Sequence, residues 1–277
     1  MSSRSPDSSA GPLLRIKADD GCTLAVHQLR QGETGAVPFL LVHALAMDGM
    51  MWADVADALP PGAPVYAVDC RGHGLSDKPA GPYTTARFAR DLGLIIGAIN
   101  APRVHLVGWS MGGTIALAFA GTYPQRVASL SIVDGTATYG PEAPPAWEAR
   151  AQKAVAGGMQ ALMQFQLDRW FTPAFLEAQP AKVQNAVATF NRNSVPAYVE
   201  TCRMLGSADE RAALKNYTGP CAVVVGEEDY ATPVAMAQEI ASLIKGAQIT
   251  VLPKVRHFTP IEVPEKIAAC IAAIARA

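Results

Sequence analysis

The apolar run Val104-His105-Leu106-Val107 leads into Gly108-Trp109-Ser110-Met111-Gly112-Gly113, and a helix-forming stretch at 114–120 follows at once. A buried strand, a sharp turn and a helix in so few residues leave the chain little choice of architecture. In such a turn the central serine is forced into a strained backbone conformation, and the flanking glycines let helix and strand pass close together. Ser110 is then held at a helix N-terminus, where the N–H of Met111 can face a developing oxyanion.

A serine hydroxyl is almost un-ionised at neutral pH, so attack by Ser110 needs an imidazole to take its proton and a carboxylate to orient that imidazole. The chain has five histidines. His27 and His105 fall within strand patterns, His43 ends a strand, and His73 sits in a Gly-flanked loop, so all four read as packing or structural groups. His257, in Arg256-His257-Phe258-Thr259-Pro260 after the last strand, is the expected base, and it comes last in the order Ser, acid, His. For the acid, Asp229 in Gly226-Glu227-Glu228-Asp229 is preferred over its neighbours Glu227 and Glu228. Asp134 is the more serious rival because it ends the sixth strand, although Asp134-Gly135 also serves as a turn. The second oxyanion donor is expected from the loop after His43, with Leu45 N–H as the candidate and Ala44 beside it.

The pattern around this unit is that of an α/β protein. Strand signals at 13–17, 23–29, 38–43, 65–69, 104–107, 127–133, 221–226 and 248–252 alternate, after a first hairpin, with helical stretches at 50–59, 85–99, 114–120, 233–244 and 264–275. That spacing predicts a mostly parallel eight-stranded sheet with helices on both faces. Between 135 and 217 the rhythm breaks into helical stretches alone, at 145–156, 159–170, 173–190 and 196–205. The expected organisation is a disordered leader at 1–12, a core domain at 13–134 and 218–277, and a helical lid at 135–217 over the carboxyl ends of the strands.

Composition narrows the function classes. Lys and Arg number 23 against 24 Asp and Glu, leaving a net charge of −1, which gives no electrostatic footprint for nucleic acid or an acidic membrane. No apolar run is long enough to span a bilayer. The five cysteines are scattered with no C-x-x-C pair, pointing to a reducing compartment and hence the cytoplasm. There is no short metal-ligand spacing and no G-x-G-x-x-G, so neither a metal nor a dinucleotide cofactor is expected.

With these residues placed, the chain resembles the α/β-hydrolase superfamily over nearly its whole ordered length. The resemblance rests on Gly108 to Gly113, on Asp69-Cys70-Arg71-Gly72-His73-Gly74-Leu75-Ser76-Asp77, on Gly226 to Asp229 and on His257. Within the superfamily it looks most like the 3-oxoadipate enol-lactone hydrolase group, through Gly81-Pro82-Tyr83-Thr84, Gly157-Gly158-Met159, Arg169-Trp170-Phe171-Thr172-Pro173-Ala174-Phe175 and Ala231-Thr232-Pro233. The resemblance implies Ser110 as nucleophile, Asp229 as acid, His257 as base, and Leu45 with Met111 as the oxyanion hole. It departs from the superfamily pattern at Ala44, where most members have Gly, at Arg256, where a small residue is common, and at the bulky Trp109.

The implied reaction is hydrolysis of a small lactone or carboxylic ester through an acyl-enzyme. The expected partner is that small molecule. A substrate carboxylate would call for a cation, with Arg150, Arg169, Arg203 and Arg256 as candidates. Trp109, Trp147 and Trp170 are candidate walls of the pocket. A general carboxylesterase, a C–C bond hydrolase and a cofactor-free perhydrolase use the same triad, and a ligand-binding receptor with a vestigial triad is the alternative of another class.

Overall fold

Residues 12–276 are described by a computed structural model of the chain. All but the last residue of the expected leader lies outside the described residues. Eight strands form one sheet: β1 (Leu13–Lys17), β2 (Thr23–Arg30), β3 (Phe39–Val42), β4 (Val65–Asp69), β5 (Val104–Trp109), β6 (Val127–Val133), β7 (Cys221–Gly226) and β8 (Gln248–Leu252). Their order is β1-β2-β4-β3-β5-β6-β7-β8. Strands β1 and β2 form the antiparallel edge, and β3 to β8 run parallel. The central strands β3 and β7 are buried at every position, as continuous Val/Leu runs covered on both faces require.

The core helices are α1 (Ala53–Ala58), α2 (Thr85–Ala98) and α3 (Met111–Thr122). Thr84 caps α2 by accepting a hydrogen bond from Arg87 N. After β6 come the inserted helices α4 (Ala143–Gly157), α5 (Met163–Trp170), α6 (Pro173–Ala178), α7 (Pro180–Asn191) and α8 (Val195–Ser207). Then α9 (Val234–Leu243), α10 (Thr259–Glu262) and α11 (Pro264–Ala275) complete the chain. Among the described residues the insertion contains no strand, only an isolated bridge between Thr138 and Asp209.

One expectation needs correction. The single helix expected at 173–190 is two, because Pro180 has no N–H to donate and the chain swings to φ −130°, ψ 51° at Gln179 before restarting.

Two glycines decide how closely α3 meets the sheet. A Cβ on Gly108 would lie 2.2 Å from the carbonyl oxygen of Gly112, and one on Gly112 would lie 2.2 Å from that of Val42. The helix can therefore start directly above β3 and β5 only with hydrogen at both positions. Among the described residues no helix is long and apolar enough to cross a membrane.

Candidate active site

Ser110 stands between the end of β5 and the first turn of α3 with φ 55° and ψ −115°. A side-chain-bearing residue at positive φ is strained by about 1–3 kcal/mol. The surroundings hold it there: Ser110 N donates to Val133 O at 2.9 Å, and Ser110 O accepts from Gly113 N at 2.8 Å and Thr114 N at 3.2 Å. The strain turns the side chain out of the strand and toward His257.

His257 Nε2 lies 2.9 Å from Ser110 Oγ, and His257 Nδ1 lies 2.7 Å from Asp229 Oδ2. The three residues come from three separate β-strand ends and are 6 %, 5 % and 3 % exposed for Ser110, His257 and Asp229, so their hydrogen bonds are shielded from competing water. Asp229 is fixed as well as paired. Its Oδ1 accepts from Ala231 N at 2.7 Å and Thr232 N at 2.9 Å, and its Oδ2 accepts from Thr232 Oγ1 at 2.8 Å. A carboxylate with its remaining lone pairs occupied can present one oxygen to the imidazole without rotating. The resulting geometry gives a nucleophile, a general base and an orienting acid in line.

The rivals for the acid have other work. Asp134 is wholly buried, with Oδ1 accepting from Gly226 N at 3.0 Å and Oδ2 from Thr259 Oγ1 at 2.6 Å. It thereby ties the end of β6 to the loops that carry Asp229 and His257. Burial and the neighbouring charge of Asp229 push its carboxyl well above the usual carboxylate range. Glu227 accepts from Lys254 N at 3.1 Å, and Glu228 lies 3.5 Å from Arg256. None of the other histidines contacts Ser110 within hydrogen-bond distance among the described residues. His27 pairs with Asp69 at 3.1 Å, and His105 Nδ1 meets Ser129 Oγ at 2.8 Å.

His43 and His73 are buried neighbours with ring centroids 5.0 Å apart. His43 Nδ1 donates to Ala44 O at 2.7 Å, while its Nε2 accepts from Cys70 N at 3.0 Å. Such a ring is a neutral brace with both nitrogens used, and it holds the loop that contains Leu45. Burial lowers the pKa of both rings, that of His73 to about 3.

Above the triad is a cavity of about 370 Å³ lined by Ser110, His257, Leu45 and Ala44 on the sheet side and by residues of α4 and α5 on the other. Of the candidate substrate residues, Trp147, Arg150 and Trp170 line it. Arg169, one of the candidate cations, also lines it. So do Tyr139, Lys153 and Gln166, which spacing did not single out, because helical phase shows only which residues share a face and Tyr139 precedes the first inserted helix. Among the described residues no aspartate or glutamate lines the cavity.

Trp109 does not line the cavity. Its indole is wholly buried, donates Nε1–H to the carbonyl of His257 at 3.0 Å, and packs edge-on against Phe258 at 4.6 Å. A residue adjacent to the nucleophile on a strand end points to the opposite face of the sheet, and here that face holds the loop of the catalytic histidine. The four candidate arginines divide in the same way. Arg203 is paired with Glu148 and Glu200, and Arg256 donates to the carbonyls of Asp168 and Phe171. Only Arg150 and Arg169 of the four line the cavity.

The insertion is fastened to the catalytic loops by backbone and side-chain bonds. His257 N donates to Arg169 O at 3.3 Å, Phe258 N to Trp170 O at 2.9 Å, and Asn193 Nδ2 to Ala46 O at 2.7 Å. The end of α5 thus grips the histidine loop, and the turn after α7 grips the loop of Leu45.

A family model described as alpha/beta hydrolase fold matches residues 37–264, which takes in every strand from β3 onward, the turn that carries Ser110, the acid and the histidine. The chain belongs to the α/β-hydrolase family. Within this family it is 28% identical over 242 residues to 3-oxoadipate enol-lactonase 2 of Acinetobacter baylyi, covering 87% of this chain and 90% of that protein. Its structure matches the enol-lactonase from Burkholderia xenovorans LB400 with a TM-score of 0.87 at 29% identity, covering 96% of this chain and 100% of that one. A hydrolase from Pseudomonas aeruginosa PA01 matches with a TM-score of 0.89 at 27% identity, covering 96% and 99%. The buried Ser110–His257–Asp229 array is that of the family's serine hydrolases, and its geometry is consistent with ester or lactone hydrolysis.

Proposed function

We propose that this α/β-hydrolase cleaves a small lactone or carboxylic ester that bears a carboxylate, through an acyl-enzyme on Ser110. The observation that carries the reading is the triad at the floor of a cavity that has Arg150 and Arg169 on its walls and no acidic side chain. Ser110 Oγ attacks the carbonyl carbon as His257 Nε2 takes its proton. The N–H groups of Leu45 and Met111 receive the oxyanion: Met111 opens α3, where N–H groups lack helical acceptors, and Leu45 lines the cavity with Ser110. His257 then returns the proton to the leaving alkoxide or enolate and activates the water that releases the acid.

On this reading residues 135–217 act as a lid, with 13–134 and 218–277 as the hydrolase core. Arg150 suits an anionic group because no carboxylate of the described residues pairs with it. Its Nε donates to Tyr198 OH at 2.7 Å and its guanidinium lies 4.9 Å over the Trp147 ring, leaving the other nitrogens for a ligand. The enol-lactonases of Acinetobacter and Burkholderia support the lactone as the first substrate to try. Five free cysteines favour a reducing, cytoplasmic setting.

Fluorophosphonate labelling of the wild type and Ser110→Ala, followed by hydrolysis of monomethyl glutarate and methyl pentanoate, tests the reading. Labelling at Ser110 with a preference for the anionic ester is expected. A folded protein that is neither labelled nor active would instead be a binding module with an idle triad, and a preference for the neutral ester would remove the carboxylate from the substrate.

A further inference from the structure

Gln166 occupies an unusual position for a polar residue. It lies on α5, is 3 % exposed and lines the catalytic cavity, yet its Nε2 has no hydrogen-bond partner among the described residues. Its neighbours on the same helix do not share this state: Trp170 stacks on Phe258 at 4.4 Å, and Arg169 lies 4.2 Å from the Phe165 ring centre. An amide nitrogen withdrawn from water and left unpaired is destabilising, so its retention on a residue of the cavity wall points to a ligand that completes it.

We propose that Gln166 is a specificity-determining residue whose amide N–H donates to a second acceptor oxygen of the substrate, a ketone or carboxylate oxygen distant from the scissile carbonyl. The proposal deepens the hydrolase reading and rests on it for the identity of the cavity. The cations Arg150, Lys153 and Arg169 line the same cavity and offer only donors, so the ligand that suits these walls is rich in acceptor oxygens, and toward such a ligand the amide serves as a donor. A half-turn about the Cγ–Cδ bond exchanges nitrogen and oxygen, so the donor can face the cavity without moving the helix. A neutral donor among cations separates two properties of the substrate: the arginines respond to charge, and Gln166 responds to an acceptor whether charged or not. A hydrocarbon acyl chain of the same length would leave the amide unpaired and so be rejected.

Binding read without turnover keeps the test independent of the hydrolase assignment. Calorimetry on Ser110→Ala and on Ser110→Ala/Gln166→Met would compare methyl 4-oxopentanoate, monomethyl glutarate and methyl pentanoate. The single variant is expected to bind the oxo ester about tenfold more tightly than the pentanoate, and the double variant to bind the two equally, with the thermal midpoint unchanged or raised because an unpaired amide has been removed. The glutarate is expected to keep a part of its advantage in the double variant through Arg150. No preference for the oxo ester in the single variant, or a preference that survives Gln166→Met, overturns the proposal. An equal loss on all three esters with a lowered midpoint also overturns it, since the amide would then be holding the lid together. Absence of hydrolysis by the wild-type protein, with the oxo-ester preference intact in Ser110→Ala, would sink the enzymatic reading alone.

Discussion

Trp109 donates its indole N–H to the main-chain carbonyl of His257 across 3.0 Å, so the residue next to the nucleophile anchors the residue that activates it. Trp109 ends β5 and His257 lies on a loop distant in sequence, and the anchor is shielded by Phe258 and Trp52. Serine and imidazole are therefore set in register through the backbone as well as through their own hydrogen bond.

Trp109→Phe keeps an aromatic ring but leaves the carbonyl of His257 buried without its donor. Stability is expected to fall by about 1–3 kcal/mol in urea titrations. The imidazole is freed to drift, and kcat on p-nitrophenyl butyrate is expected to drop about tenfold to 100-fold with KM little changed. An unaltered kcat would show that the side-chain bond to Asp229 suffices.

The two buried aspartates are expected to separate on amide substitution. Asp229→Asn would present an amide to His257 Nδ1 and disfavour the required tautomer, lowering kcat by about 10⁴-fold. Asp134→Asn replaces a carboxyl already pushed toward its neutral form, and its oxygen can still accept from Gly226 N or Thr259, so activity is expected within a few-fold of the wild type. Steady-state rates of the two variants side by side decide between the roles.

Gly112→Ala tests the closeness of helix and sheet. The new methyl would meet the Val42 carbonyl at 2.2 Å and the His43 carbonyl at 2.8 Å, both main-chain atoms that cannot rotate away. A loss of about 3 kcal/mol or more, at the upper end of overpacking costs, is expected in denaturant titrations, with activity lost as the turn that carries Ser110 is displaced.

Much of this fold could be read before any coordinates, and the reasons are physical. Strands inside a parallel sheet are apolar on both faces, so Cys221–Gly226 and Phe39–Val42 are marked by composition alone. The triad was legible because each member lies just beyond the carboxyl end of a strand, in a local pattern of residue types that marks its place. What stayed hidden depends on tertiary partners. Arg203 and Arg150 both lie on inserted helices, yet Arg203 is neutralised by Glu148 and Glu200 while Arg150 lines the cavity. The direction of the Trp109 ring depended on which loop packs on the far side of β5. The unpaired amide of Gln166 has no signature in sequence, since a glutamine on a helix is ordinarily solvated.

Acid should weaken the protein through the His43 and His73 pair. The folded-state pKa of His73 is lowered to about 3 by burial and by the neighbouring ring, whereas the unfolded chain takes up its proton near 6.5. Between those values the unfolded state binds the extra proton, so the stability that this group supports is complete at neutral pH and is lost as pH falls below about 6.5. From pH 7 to pH 5 the loss from His73 alone is about 2 kcal/mol. His73→Asn removes the titration, so its stability is expected to fall by about 2 kcal/mol less than that of the wild type over the same interval. Urea midpoints at the two pH values measure the difference, and parallel losses in both proteins would show that another group drives the acid sensitivity.

Arg150 provides the last comparison, because the groups that hold it can be removed separately from its charge. Arg150→Met keeps the apolar stem against Trp147 and removes the only part that can pair with an anion. For a carboxylate-bearing ester kcat/KM is expected to fall by about tenfold to 100-fold, mainly through KM, since the contact is made in the ground state as well as in the transition state. Neutral esters should change by less than about threefold. Tyr198→Phe leaves the charge but deletes the acceptor that orients it at 2.7 Å, and its effect is expected to fall between the wild type and Arg150→Met. If neutral and anionic esters lose equally in Arg150→Met, the guanidinium shapes the inserted helices and does not read substrate charge.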